Sequence, residues 1–355
     1  MSVNLNDQSM YPKFDPDNML QRIVDLPQQV RDAWAIAQTA PLPEAYRSVR
    51  RIVVAGMGGS AIAGDLVRGL TAREGHLPFE VVREYALPEY VDEETLVVFS
   101  SYSGYTEETL SALAHAKQHG AMILVMTTGG AIADEAEKIG APVWRYTYSS
   151  APRAAIGYSL ILLAGMCSRL HALADIQPAL KEALPAVEAL QAALLPGVPT
   201  AENPAKQLAQ ALEGRLPVIY GSAFLSAVAR RWKTQINENA KQWAIWDELS
   251  ELNHNAVIGF GLPDRVREQA TAVFVRSPLD HPRIKVRWDV TRELLEQVEI
   301  PVHEVTGEGQ STLSQMLTLI HLGDFVSYYL AALNEVDPTR IENIVLLKER
   351  LAAVE

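Results

Sequence analysis

Two short clusters of glycine and hydroxyl residues are the first places in this chain where chemistry could occur. Each follows an apolar run rich in β-branched residues, at 52–55 and 96–99, and each precedes residues at helical spacing. This pattern predicts a buried parallel strand that leads through a loop into a helix, twice. Free N–H groups at such a helix N-terminus favour an anion. The second cluster adds hydroxyls that can surround a phosphate monoester: Ser100, Ser101, Ser103 and Thr106.

Two other interpretations of the first cluster remain open. Gly56, Gly58 and Ala61 match a dinucleotide-binding fingerprint. Glu84 follows the apolar run at 79–82, at about the position where a ribose-binding acidic residue would be expected. The glycines could also serve only tight turns. The hydroxyl-rich second loop favours a terminal phosphate, because a dinucleotide site does not need it. A P-loop is excluded, since the chain has no GxxxxGK[ST] sequence.

Composition limits the possible partners. The chain has 355 residues, 48% hydrophobic content and a net charge of −12, which indicates about two globular domains. The acidic balance argues against nucleic acid and anionic membranes as partners. The single cysteine, Cys167, excludes a disulfide within the chain and a cysteine-based metal cluster, and we expect it to be a buried, inert thiol. The first residues do not resemble a signal peptide, so we expect a cytoplasmic protein.

The elements that must position these clusters follow an α/β order. Apolar runs at 52–55, 79–82, 96–99, 122–126 and 143–146 predict a five-stranded parallel sheet flanked by helices. A core helix is expected over 158–175. The second half looks like a shorter copy, with apolar runs at 218–220, 256–260, 272–275 and 300–305. Two helices, over 313–334 and 340–352, end the chain.

The N-terminal residues predict a separate helical region. Met19, Ile23, Leu26, Val30 and Trp34 share one helical face, and Pro27 predicts a break between two short helices. We expect this region to pack on a partner subunit or across the domain cleft.

Four charged residues are further candidates for the site. Arg153 follows a proline just before the core helix, at the sheet edge where ligands bind in open α/β folds. Glu238 and His254 could supply a base and a second acid–base group, and Lys348 lies on the last helix. Each also has an ordinary interpretation: a salt-bridged arginine, a solvated glutamate, a hydrogen-bonded loop histidine and a surface lysine.

Taken together, these segments resemble a known family. GMGGSAIAGDL, SSYSGYTEETL, the Pro-Arg before the core helix, NENAK, NHNAVIGF and the late DPTRIENIVLLKERL are similar to the bifunctional phosphoglucose/phosphomannose isomerases. Those enzymes contain two sugar-isomerase (SIS) domains. The resemblance covers most of the chain from about residue 45. It implies a lead-in over 1–47, a first SIS domain over 48–195 and a second over 196–355, each with a mainly parallel sheet of five or fewer strands.

The resemblance also implies roles for individual residues. Gly58, Gly59 and Ser60 would line the sugar end of the pocket, while Ser101, Ser103 and Thr106 would hold the phosphate. Glu238 would move a proton between C2 and C1 through a cis-enediol, and Arg153 would stabilise the enediolate. His254 and Lys348 would assist ring opening. Tyr102 and Tyr105 replace residues that are often Asn or Thr in relatives, which puts the shape of the phosphate pocket in question.

The resulting expectation is an isomerase of glucose 6-phosphate or mannose 6-phosphate to fructose 6-phosphate. It would need no cofactor and no metal, and it would act as a homodimer in which the histidine reaches in from the partner subunit. The rival functions are a non-catalytic SIS module that binds a sugar phosphate for regulation, and a dehydrogenase that uses the first glycine turn.

Overall fold

The computed structural model describes residues 3–353 and contains two parallel sheets. The first sheet has the strand order β2-β1-β3-β4-β5, and every neighbouring pair in it is parallel. All five strands lie where the apolar runs predicted them. Their bounds are β1 (Arg51–Ala55), β2 (Phe79–Val82), β3 (Thr95–Ser101), β4 (Met122–Thr127) and β5 (Val143–Arg145).

The second sheet is smaller and also parallel, with the order β7-β6-β8-β9. Its strands are β6 (Leu216–Gly221), β7 (Ile245–Glu248), β8 (Ala270–Arg276) and β9 (Val302–Thr306). The predicted strand at 256–260 is wrong, because Ala256–Gly259 forms a 3-10 helix. The Asn255 side chain accepts a hydrogen bond from the Ala256 N–H and so starts a turn at this point. Strand β7, which the sequence analysis missed, takes its place at the edge of the sheet.

Fifteen α-helices surround the sheets in the described residues. In the N-terminal region and first sheet they are α1 (Tyr11–Phe14), α2 (Met19–Val24), α3 (Leu26–Thr39), α4 (Gly58–Glu74), α5 (Glu107–Gln118), α6 (Ala131–Lys138), α7 (Ile156–Arg169) and α8 (Gln177–Leu194). Around the second sheet they are α9 (Pro204–Leu212), α10 (Ser226–Ala240), α11 (Leu249–Leu252), α12 (Asp264–Gln269), α13 (Pro282–Gln297), α14 (Thr312–Leu333) and α15 (Glu342–Ala352).

Helices α7 and α14 form the centre of the molecule. Cys167 lies on α7, fully buried, and burial raises the pKa of its thiol to about 12, in line with the expected inert cysteine. Helix α14 is buried along its whole length and packs against α8, α9 and α10. Among the described residues it is the one helix long and apolar enough to cross a membrane, and its apolar window is entirely covered by the rest of the fold. It is therefore a core helix shared by the two halves.

The N-terminal region packs across both halves of the chain. Pro27 lies at the start of α3, so the predicted break between two helices is confirmed. Helix α3 packs on α7, and the buried Gln29 side chain donates to the Ala154 carbonyl at 2.9 Å and accepts from the Gly157 N–H at 3.1 Å. Further upstream, the Tyr11 ring stacks on Tyr328 of α14 at 5.9 Å. The region thus packs on the chain immediately after Arg153 and on α14.

The last helix, α15, contrasts with the rest of the fold. Its residues over 342–351 are all exposed, and its apolar side chains find no cover within the described part of the chain. Ile344, Val345, Leu346, Leu347 and Leu351 are between 37% and 58% exposed.

Candidate active site

The first glycine cluster forms a tight turn against the chain before α7. Strand β1 ends at Ala55 and α4 begins at Gly58, which has a φ of +49°. A Cβ atom on Gly59 would lie 3.0 Å from both the N and the Cα of Arg153. Any side chain at position 59 would therefore collide with the backbone that carries Arg153. The glycine turn and the Arg153 backbone are therefore in direct contact.

The hydroxyl-rich loop lies directly beside this turn. The Ser60 hydroxyl accepts a hydrogen bond from the Tyr102 N–H at 3.3 Å, which joins the two loops. The Ser101 hydroxyl accepts from the Gly104 N–H at 3.2 Å and lies 3.3 Å from the Thr106 hydroxyl, whereas the Ser103 side chain is more exposed. These groups stand at the N-terminus of α5, where backbone N–H groups and the helix dipole favour an anion.

The two tyrosines of this loop do not fill it. The Tyr102 hydroxyl donates to the Tyr148 carbonyl and accepts from the Ser150 N–H at 2.8 Å, so the side chain points away from the hydroxyl cluster. It ties the loop to the segment that leads to Arg153. Tyr105 is 69% exposed at the rim. Among the hydrogen bonds of the described residues, neither tyrosine side chain bonds to Ser101, Ser103 or Thr106.

Arg153 and Glu238 meet at this edge from different halves of the chain. The Arg153 side chain is 3% exposed, and its Nη1 lies 3.4 Å from Oε2 of Glu238, whose side chain is 27% exposed on the last turn of α10. The Nη2 of Arg153 donates to the carbonyls of Pro338 and Thr339. Burial lowers the pKa of Arg153, while the charge of Glu238 opposes that shift. A buried cation thus faces a carboxylate that solvent can reach.

Asn239 is one of the residues that sequence reasoning missed. Its Oδ1 accepts from Nε of Arg153 at 2.7 Å, and its Nδ2 donates to the Ser327 hydroxyl of α14 at 2.9 Å. Asn239 is fully buried, so it fixes the direction of the arginine.

A buried ion pair behind the site was also missed. Both Asp324 carboxylate oxygens accept from Nη2 of Arg231, at 2.7 and 2.8 Å, and the same nitrogen donates to the Arg153 carbonyl at 3.2 Å. Gln235 donates to Asp324 as well, at 2.8 Å. The available signal was Asp324 itself, an acidic residue in the otherwise uncharged and largely apolar α14 segment.

Lys241 closes the C-terminal end of α10, where it has a φ of +53°. Its ammonium donates to the carbonyl of Glu238 at 2.7 Å and to that of Asp337 at 2.5 Å. Partial burial, followed by repulsion from Arg153, lowers the pKa of Lys241 to about 8. Lys241 therefore joins the helix turn that carries Glu238 to the chain that leads into α15.

Two of the predicted site residues, His254 and Lys348, do not lie beside Arg153 and Glu238 within one chain. His254 is exposed in the turn between α11 and the 3-10 helix Ala256–Gly259. Lys348 is exposed on α15. Neither contacts Glu238 or Arg153 among the hydrogen bonds and ion pairs of the described residues.

The turn after β6 in the second sheet resembles the turn after β1 in the first sheet, but an acidic side chain occupies it. Strand β6 ends at Gly221, and Ala223 has a φ of +47°, close to the value at Gly58. The buried Asp280 carboxylate accepts from the Ser222 hydroxyl at 2.9 Å and from the Trp288 indole at 2.9 Å. The Asp280 carboxylate thus occupies the turn on the second sheet. The hydroxyl-rich loop, which is the candidate phosphate site, lies on the first sheet.

Comparison with known proteins agrees with this architecture. The family model "SIS domain" matches residues 45–151, and "Bacterial phospho-glucose isomerase C-terminal SIS domain" matches residues 201–351. Two solved structures from Thermus thermophilus share the fold. One is a hypothetical protein (18% identity, TM-score 0.74, 98% of this chain and 94% of that chain), and the other is a glucose-6-phosphate isomerase like protein (21%, 0.62, 95% and 98%). The two sheets and these matches define a protein of two SIS domains.

Curated relatives narrow the class. The bifunctional phosphoglucose/phosphomannose isomerase of Caldicellulosiruptor bescii is 39% identical over 338 residues, covering 95% of this chain and 100% of the relative. The protein of the same name from Aquifex aeolicus is 34% identical over 302 residues, covering 84% and 90%. The chain belongs to the bifunctional phosphoglucose/phosphomannose isomerase family, as its motifs predicted.

Proposed function

We propose that this protein is an aldose–ketose isomerase that interconverts glucose 6-phosphate or mannose 6-phosphate with fructose 6-phosphate. The observation that carries the proposal is the Glu238 carboxylate 3.4 Å from the buried Arg153 guanidinium, beside the Gly59 turn. The 39% identity between this chain and a curated isomerase, over the full length of that isomerase, supports the proposal. A purely regulatory module would have no need for this carboxylate.

The substrate phosphate is assigned to the hydroxyl loop. Ser101, Ser103 and Thr106 supply O–H donors at the start of α5, and Gly58, Gly59 and Ser60 border the sugar end. Because the phosphate is remote from the reacting carbons, its binding energy serves to position C1 and C2.

We assign the proton transfer to Glu238 and Arg153, which come from the two halves of the chain. Glu238 takes the proton from C2 and returns it to C1, so a cis-enediol lies between aldose and ketose. Negative charge develops on the oxygen during this step. The Arg153 guanidinium stabilises that charge, and its bond to Asn239 holds it in place before the reaction begins.

The test is a coupled assay of fructose 6-phosphate formation with Glu238→Gln, supplied with each aldose in parallel. We expect turnover of both sugars by the wild type and a loss of about 10²–10⁴-fold in kcat in the variant, with binding of the sugar phosphate retained. Glu202→Gln is the matched control, because Glu202 is exposed and has no ion pair among the described residues. Binding without turnover by the wild type would favour the regulatory module instead.

We further propose that the enzyme acts as a cytoplasmic homodimer in which His254 and Lys348 assist ring opening. His254 is exposed and therefore available to the site of a second subunit, and the uncovered apolar side chains of α15 offer surface for such a contact. Light scattering of the purified protein tests the dimer.

Mixing two inactive variants tests whether the histidine crosses the interface. Subunit exchange between Glu238→Gln and His254→Asn dimers creates hybrids with one intact site if His254 serves the partner. About a quarter of wild-type activity is then expected from an equal mixture, by random pairing. No recovery after demonstrated exchange would place the histidine in its own chain's site.

A further inference from the structure

A second cavity lies between the two halves and shares no lining residue with the candidate active site. It has a volume of about 480 Å³ and is bordered by α4, the 3-10 helix Ala223–Leu225, the first turns of α10 and the edge strand β7. The lining residues that matter here are Asp65, Arg68, Arg73, Phe224, Arg230 and Glu248. The isomerase mechanism uses none of them.

Arginine dominates the charge of this cavity. Arg68 and Arg73 are exposed, and neither forms an ion pair with any residue from 3 to 353. Arg230 shares the buried Asp65 carboxylate with Arg83, through a bond of 3.0 Å from its own Nη1. The three lining arginines together with Arg83 outnumber the two lining carboxylates, Asp65 and Glu248. In a chain with a net charge of −12, this cavity is therefore a place of local positive excess.

Aromatic rings hold two of these arginines in place. The Arg73 guanidinium lies over the Phe224 ring at 5.7 Å, and that of Arg230 lies over Trp246 at 5.8 Å. Stacking orients a guanidinium group while its N–H groups stay free to donate. Burial, followed by repulsion from Arg83, lowers the pKa of Arg230, so a bound anion would relieve an existing cost.

We infer that this cavity binds a compact phosphorylated anion at a second site. Several guanidinium groups that converge on one space match the multiple oxygens of a phosphoryl group. The volume exceeds what an inorganic phosphate fills and lies in the range of small-molecule sites. The ligand class is therefore a small organic phosphate, with its phosphoryl group toward Arg68 and Arg73.

The helices that line this cavity also carry the candidate active site. Helix α4 starts with Gly58 and Gly59 and reaches Arg68 about three turns later and Arg73 about four turns later. Helix α10 presents Arg230 near its start and Glu238 near its end. A ligand that bridges the two helices here is placed to affect the distance between the glycine turn and the carboxylate.

The test is calorimetric titration with inorganic pyrophosphate at fixed salt, on proteins whose phosphate loop carries Ser103→Asp. This exposed substitution repels phosphate from the candidate active site, so the result does not depend on the proposed isomerase activity. We expect Ser103→Asp to retain one pyrophosphate site per chain. Adding Arg68→Gln and Arg73→Gln should weaken it by roughly tenfold or more, the value of one lost charged hydrogen bond.

The matched control adds Arg265→Gln and Arg283→Gln to Ser103→Asp. Both arginines are exposed, neither forms an ion pair in the described chain, and the change in net charge is the same. An affinity within about twofold of Ser103→Asp is expected. The inference is overturned if Ser103→Asp binds no pyrophosphate, if the Arg68 and Arg73 changes leave its affinity intact, or if the control weakens it equally.

Chemical modification of the unmutated protein gives an independent measurement. Phenylglyoxal labels exposed arginines, and mass spectrometry reports each position separately. Pyrophosphate is expected to slow labelling of Arg68 and Arg73 but not of Arg265 and Arg283. Equal labelling rates with and without pyrophosphate at Arg68 and Arg73 would contradict the site.

Discussion

The buried ion pair behind the active site gives a quantitative prediction for Asp324→Asn. Asp324 is 4% exposed and Arg231 is 1% exposed, and the carboxylate receives bonds from Arg231 and Gln235. The amide keeps the size of the side chain but removes its charge. The Arg231 cation is then left buried without a counter-charge, which typically costs about 3–5 kcal/mol of unfolding free energy.

This loss converts into a measurable shift in melting temperature. A chain of 355 residues has an unfolding entropy of about 0.75 kcal/mol/K, so we expect Tm to fall by about 4–7 °C. Scanning calorimetry of the wild type and the variant in the same buffer measures it. Glu188→Gln serves as the control, since its ion pair with Arg31 is exposed on both sides and contributes less than about 1 kcal/mol.

A second variant separates charge from packing. Replacing both partners, with Arg231→Met and Asp324→Leu, leaves no isolated buried charge and should be more stable than Asp324→Asn alone. If Asp324→Asn melts within about 1 °C of the wild type, or if the double replacement is the less stable of the two, the assigned ion pair does not contribute as argued.

Two further predictions concern the active site itself. Gly59→Ala places a Cβ 3.0 Å from the Arg153 backbone. We therefore expect the free energy of unfolding, measured with denaturant, to fall by about 1–3 kcal/mol and kcat to fall as well. An unchanged kcat would show that the turn does not set the position of Arg153. Because the pKa of Lys241 is lowered to about 8, its charge is present below that pH and is lost above it. The kcat of the wild type should therefore decline as pH rises through about 8, whereas Lys241→Arg, which stays charged, should keep its activity there; parallel pH profiles would refute this role.

The sequence was most informative where local patterns control structure. Each strand of the first sheet is a short apolar run next to a turn, so its position could be predicted from neighbouring residues. The two glycine and hydroxyl loops could be placed between a strand and a helix for the same reason.

Prediction failed where the choice depends on distant neighbours. Residues 256–260 are as apolar as many strands, but the bond from Ala256 to Asn255 and the presence of β7 at the sheet edge favour a turn there. The contact between Arg153 and Asn239 joins residues 86 positions apart. Nothing in the spacing of either residue indicates the other.

The position of α14 has a consequence for the order in which the protein can be assembled. This helix is surrounded by elements from both halves, yet it follows α8, α9 and α10 in the chain and so leaves the ribosome after them. Until then, those three helices expose the apolar faces that will cover it. The nascent chain thus carries an open core until α14 emerges, which makes late completion, rather than early domain folding, the step where chaperone protection matters.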